Sequence, residues 1–148
     1  MRRPIFTVLL SLAALLLASA SEGASFPAVR GGGGAVASAE EASTEVGLEI
    51  LRAGGNAVDA AVATALALAV VHPQAGNLGG GGFAVVRMND QLMSLDFREV
   101  APAAATRDMY LDDEGRPWKD ASSIGPLAAG VPGSPIGLYE LHQRFGAL

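Results

Sequence analysis

Cysteine is absent from the 148 residues. That excludes disulfide scaffolds, zinc–thiolate sites, iron–sulfur clusters, thiol nucleophiles and a lipid anchor on a leader cysteine. Histidine is nearly absent, and His72 and His142 are too few for a His-rich metal site. Aromatic residues make up 5% of the chain and charged residues 17%, against 50% hydrophobic. So apolar a composition excludes a disordered chain. Basic residues are also scarce, 10 against 15 acidic, for a net charge of −5. This balance argues against nucleic acid as a partner. The length suits one domain with a modest core rather than two.

What is present begins with a leader. Arg2 and Arg3 precede an apolar run, Ile5 to Leu17, and then the small-x-small site Ala18-Ser19-Ala20. This is the pattern of a secretory signal peptide over residues 1–20. The run is shorter than the ~20 residues that span a bilayer, so cleavage is expected rather than membrane insertion. Loss of Arg2 and Arg3 with the leader takes the net charge from −5 to −7. The expected product is an acidic, exported protein, periplasmic or extracellular, folded without disulfides. Residues 21–34 are small and Gly-rich and read as a flexible arm into the fold. A phosphate-cradling loop is poorly supported there, because no Lys-Ser/Thr follows the glycines.

The rest of the chain, residues 35–148, reads as α+β. Ser38 with Glu41 predicts a capping box. The following helix presents Ala42, Val46, Leu48, Ile50 and Leu51 on one side and Glu40, Glu41, Glu45, Glu49 and Arg52 on the other. Gly54-Gly55 predicts a left-handed stop. Asn56 then caps a second helix with Asp59 in its first turn. From Ala57 to Val71 that helix has Asp59 as its only charge, so burial on most sides is expected, against a sheet. His72-Pro73 ends it. Two apolar runs, Phe83 to Met88 and Gln91 to Phe97, flank Asn89-Asp90 and predict a β-hairpin. Met109 to Leu111 predicts a short helix, and Asp112 to Pro117 a solvated turn. Leu127 to Val131 reads as extended. Ser134 reads as the cap of a last helix with Pro135 at its first position, Ile136, Leu138, Leu141 and Phe145 at helical spacing and Gly146 closing it.

No complete catalytic constellation is visible. The serines lack a nucleophile-elbow context, and neither His72 nor His142 has a partner at a telling spacing. His72 reads as a helix-end residue and His142 as a surface or boundary histidine. Asp112, Asp113 and Glu114 lack the ligand periodicity of a calcium loop. Arg98, at the end of the second strand, has two readings. Its guanidinium can clamp a substrate carboxylate through two parallel hydrogen bonds, or it can pair with Asp96 or Glu99 for structure alone.

Four stretches then carry a resemblance. They are Glu49 to Ala61 (EILRAGGNAVDAA), His72 to Phe83 (HPQAGNLGGGGF), Leu95 to Pro102 (LDFREVAP) and Gly130 to Leu138 (GVPGSPIGL). In order and spacing they resemble the γ-glutamyltranspeptidase family, over about Gly34 to Leu148. The resemblance implies a partial amino-terminal-nucleophile hydrolase fold, whose complete form is a four-layer αββα sandwich. It implies an exported precursor that cuts itself into large and small subunits. The new amino-terminal Thr of the small subunit is the nucleophile, with its own amine as base. Glutathione and other γ-glutamyl compounds are the implied donors; amino acids, peptides or water are the acceptors, and no cofactor or metal is implied.

By the same resemblance this chain corresponds to the start of the large subunit, truncated before the nucleophile. Thr44, Thr64 and Thr106 do not match the processing motif. Arg98 matches the family arginine that binds the α-carboxylate of the γ-glutamyl group. Gly79 to Gly82 are expected to serve backbone packing rather than a ligand. Two alternatives remain open: a related β-lactam or glutaryl acylase or polyglutamate-cleaving enzyme, and a non-catalytic exported module.

Overall fold

The computed structural model describes residues 30–148. The expected signal peptide and residues 21–29 of the expected arm lie outside the described residues. Residues 33–148 form one unit, with the element order α1 (Glu41–Arg52), α2 (Ala57–Val71), β1 (Phe83–Met88), β2 (Gln91–Asp96), a 3-10 turn (Pro126–Ala128) and α3 (Ser134–Phe145). The mixed helix-and-sheet class expected from sequence holds.

The α1 start departs from the expected capping box. The cap position is Glu40, with no side-chain cap, and Ser38 lies two residues before it. Ser38 Oγ is already engaged: it donates to the Glu40 carbonyl at 2.9 Å and sits 2.6 and 2.7 Å from the Ser43 and Thr44 hydroxyls. The Glu40 side chain reaches instead to His72 Nδ1, 2.8 Å away at the end of α2. The buried face of α1 is not the expected aliphatic one either, since Ser43 and Gly47 are the residues it buries. A side chain at Gly47 would run into Thr64 Oγ1 of α2 and Val36, so α1 packs against α2 through its smallest residues.

The α1 stop is as expected. Gly54 takes φ +97°, its N–H bonds the Leu51 carbonyl at 3.1 Å, and the Gly55 N–H bonds Ile50 at 3.0 Å. These two bonds satisfy carbonyls of the last turn as a Schellman ending does. Asn56 then caps α2: its Oδ1 accepts from Val58 N at 2.8 Å and Asp59 N at 3.1 Å, while Asp59 Oδ2 accepts from Asn56 N at 2.8 Å.

Helix α2 is less covered than its composition suggests. Val58, Asp59, Ala60 and Thr64 are buried, whereas Leu66, Val70 and Val71 are exposed. Its buried stripe meets α1 and α3.

Strands β1 and β2 pair antiparallel with Phe83 opposite Asp96 and Val86 opposite Met93. Asn89 and Asp90 take φ 50° and 62°, the positive values that a two-residue type I′ turn needs. Pairing continues one step beyond the strands, through mutual bonds of Gly82 and Phe97 at 3.3 and 3.0 Å.

The long connection to α3 corrects two expectations. Met109 to Leu111 forms turns rather than a helix, because Leu111 pairs with Pro117 across the Asp112–Arg116 turn. The 127–131 stretch begins in the 3-10 turn at Leu127 and Ala128, after which Ala129 is extended and Val131 bridges Val100. Ser134 is not the cap of α3 but its first residue, after Gly133. The Gly133 and Ser134 N–H groups instead donate to the Gly80 carbonyl at 2.9 and 3.0 Å, so main chain from another segment fills the capping role.

Candidate functional site

Arg98 follows directly on the extended hairpin, and hydrogen bonds fix the main chain around it. Phe97 is tied to Gly82, and Val100 to Val131 by bonds of 3.2 and 2.8 Å. The Arg98 N–H donates to Asp96 Oδ1 at 2.9 Å. The side chain is 61% exposed and meets Glu99 through Nε, 3.1 Å from Oε1. Of the two acids flanking Arg98, Asp96 thus takes its main chain and Glu99 its guanidinium.

The Glu99 carboxyl lies below its ordinary range, held there by its own N–H and then by the Arg98 side chain. It is ionised at neutral pH, so the contact is a charged pair. Because the pair is exposed, solvent screens it and its contribution to stability is small. What it does is orient. With Nε on Glu99, no other side-chain partner of the guanidinium is found among the described residues, and both Nη groups retain donors.

Beside Arg98 runs an open groove of about 370 Å³, lined among others by Leu95, Phe97, Val131, Ile136 and Glu140. Its walls are mainly apolar, with charge at Arg98, Asp96 and Glu140. That arrangement suits a small ligand with one carboxylate and a short aliphatic stem. A larger cavity of about 590 Å³, between residues 33–38 and α2, has no ionisable lining residue. Size alone therefore does not mark the site.

The candidate glycines pack beside Arg98, whereas the histidines and the Asp112 to Glu114 acids make their contacts elsewhere. Gly81 and Gly82 pack on Phe97 to Glu99, and Gly80 receives the start of α3, the packing role expected of these three; at Gly79 a Cβ would meet only Asn77 Oδ1, at 3.4 Å. His72 ends α2 and pairs with Glu40. His142 Nε2 is 3.3 Å from Asp59 Oδ1, a contact across 83 residues that no local spacing reveals. Asp112 and Glu114 both bond Arg116 within a solvated turn. Among the described residues, no group of three or more His, Asp or Glu could hold a metal ion.

Asp59 anchors a second polar centre, away from the groove. Only 4% exposed, it accepts from Asn56 N and, with bonds of 3.0–3.4 Å, from Ala147 N and Leu148 N after α3. Asn56 Nδ2 donates to the Phe145 carbonyl at 2.6 Å. The Asp59 carboxyl is pulled below its usual value chiefly by the Asn56 N–H. Burial opposes this, and the Ala147 and Leu148 N–H groups and His142 reinforce it. The centre is a latch between the start of α2 and the end of α3.

The γ-glutamyltranspeptidase family model matches residues 43–148. The glutathione hydrolase proenzyme of Pseudomonas aeruginosa is 51% identical over 146 residues, covering 99% of this chain and 26% of that protein. That of Escherichia coli is 45% identical over 164 positions, covering 100% of this chain and 28% of the relative. Among solved structures, the γ-glutamyltranspeptidase from Pseudomonas nitroreducens complexed with L-DON aligns with a TM-score of 0.76. It is 53% identical over 80% of this chain and 36% of that one. The chain thus spans about a quarter of the length of these curated relatives.

Proposed function

The chain belongs to the γ-glutamyltranspeptidase family, and on that premise we propose that it supplies the carboxylate clamp of an exported, self-cleaving γ-glutamyl acyltransferase and hydrolase. Glutathione and related γ-glutamyl compounds are the donors; amino acids, peptides or water are the acceptors. The amino-terminal Thr of a small subunit attacks the γ-carbonyl while its own amine takes the hydroxyl proton. The γ-amide C–N bond then breaks, the rest of the donor leaves as an amine carrying that proton, and the acyl-enzyme is resolved by the acceptor, which restores the Thr hydroxyl. Nucleophile and oxyanion site come from family sequence that these 148 residues do not include. The complete protein has the four-layer αββα arrangement of amino-terminal-nucleophile hydrolases.

This chain's part is recognition. The observation that carries it is the exposed Arg98 guanidinium, fixed through Nε by Glu99, with no partner for either Nη group among the described residues. A planar fork presented end-on matches the two oxygens of an α-carboxylate. The groove beside it offers apolar walls to the glutamyl stem. Holding the α-carboxylate places the γ-carbonyl a fixed distance away for the nucleophile, which is catalysis by positioning.

The test is Arg98→Lys in a family-length precursor carrying this segment. Lys keeps the charge and loses the fork, at a cost of about 1.5–3 kcal/mol for a charge-assisted contact, or roughly a ten- to hundredfold loss of kcat/KM for glutathione. Self-cleavage is expected to proceed normally. A matured Arg98→Lys enzyme with wild-type efficiency would overturn the assignment.

A further inference from the structure

The segment bearing Arg98 is gripped from two sides by backbone that has no side chains. On one side, a Cβ at Gly81 would fall against Glu99 N and 2.6 Å from Arg98 C. On the other, a Cβ at Gly133 would strike the Phe97 carbonyl, 2.7 Å from its carbon and 3.1 Å from Arg98 O. One turn into α3, a Cβ at Gly137 would overlap Phe97 Cβ and Cγ and come 2.6 Å from Cδ2. None of these three glycines has a positive φ, so backbone conformation does not require them. Close approach does.

Resting on the carboxylate-clamp reading of Arg98, we infer that Gly137, with Gly133 and Gly81, positions Arg98 for substrate by letting α3 and the β1 approach close on Phe97 and Glu99. Gly137 meets Phe97 at Cβ and Cγ, atoms next to the main chain. A side chain there cannot be relieved by swinging the ring tip and must move the Phe97 backbone. Arg98 is the next residue, and its guanidinium cannot simply re-extend, because Nε is held by Glu99, whose own N–H lies under Gly81. Displacement at α3 therefore reaches the fork. These glycines touch no substrate and act through Phe97 and Glu99 as positioning residues.

The experiment compares family-length, processed enzymes on a γ-glutamyl donor with a free α-carboxylate and on its α-methyl ester. The ratio of the two kcat/KM values reads the carboxylate contact, and a loss of folded enzyme does not move it. Gly137→Ala is expected to lower the preference for the free acid by about tenfold, through KM, since small misplacements of a positioned group cost this much or more. Gly130→Ala is the matched control: its Cβ would make only 3.4–3.5 Å contacts with Glu99 and Val100, and the ratio is expected to stay at the wild-type value. If Gly137→Ala does not mature, Gly81→Ala tests the same role from the β1 side, where its Cβ would press on main chain at Glu99 N and come 2.6 Å from Arg98 C. It should lower the ratio a few-fold, and an unchanged ratio overturns the inference. Arg98→Lys separates the levels. A lowered ratio in Arg98→Lys with a wild-type ratio in matured Gly137→Ala overturns the positioning role and keeps the clamp. A wild-type ratio in Arg98→Lys overturns the clamp itself.

Discussion

Asp59 and Arg98 each sit at the end of an element in a glycine-rich setting, and the fold uses them in opposite ways. Asp59 is 4% exposed and surrounded by main-chain donors. The Arg98 side chain is 61% exposed and, among the described residues, its one polar partner is Glu99. The first is a charge whose bonding capacity is consumed inside the protein. The second is a charge whose main chain is rigidly tied while its donors stay outward. A buried, saturated charge serves stability; an exposed, oriented and unsaturated one is available for a ligand.

The sharpest way to break this contrast is to remove the two groups in turn from a family-length protein. Asp59→Ala strands the N–H groups of Asn56, Ala147 and Leu148 at once, and is expected to cause the largest loss of stability of any single substitution in this segment, read by denaturant unfolding. The pH dependence has the same origin. The folded Asp59 carboxyl lies below its ordinary 3.8, so its stabilisation is present above that value and lost as pH falls through the lower folded one. Asp59→Asn should remove this acid-limb component.

Next in size is Asn56→Ala. It deletes the α2 cap and the bond to Phe145 and should cost about 1–2 kcal/mol. Smallest is Arg98→Ala, an exposed position whose stability should change by no more than about 0.5 kcal/mol while γ-glutamyl turnover collapses. Destabilisation by Arg98→Ala comparable to that of Asn56→Ala would erase the distinction.

What was legible in the sequence was what short-range chemistry decides. The Asn56 cap, the Gly54 stop and the Asn89-Asp90 hairpin each depend on residues within a few positions of one another. The Ser38 box failed within the same range, because Ser43 and Thr44 compete for its hydroxyl. Long-range packing was hidden. Nothing near His142 announces Asp59, and nothing near Gly137 announces Phe97, since both contacts exist only once α3 folds back. The Met109 to Leu111 helix was mistaken because the Leu111–Pro117 bridge outweighed local propensity. At the site, Arg98 itself was visible, and the structure shows the pairing with Glu99; in the proposed function that pairing aims the fork rather than consuming it.

The most direct test of the clamp is a crystal structure of the processed, family-length enzyme with L-glutamate bound. The account predicts the α-carboxylate on Nη1 and Nη2 of Arg98, end-on, with Nε still on Glu99 and the aliphatic stem in the groove beside Phe97. A carboxylate bound elsewhere, with Arg98 turned to solvent, would contradict it.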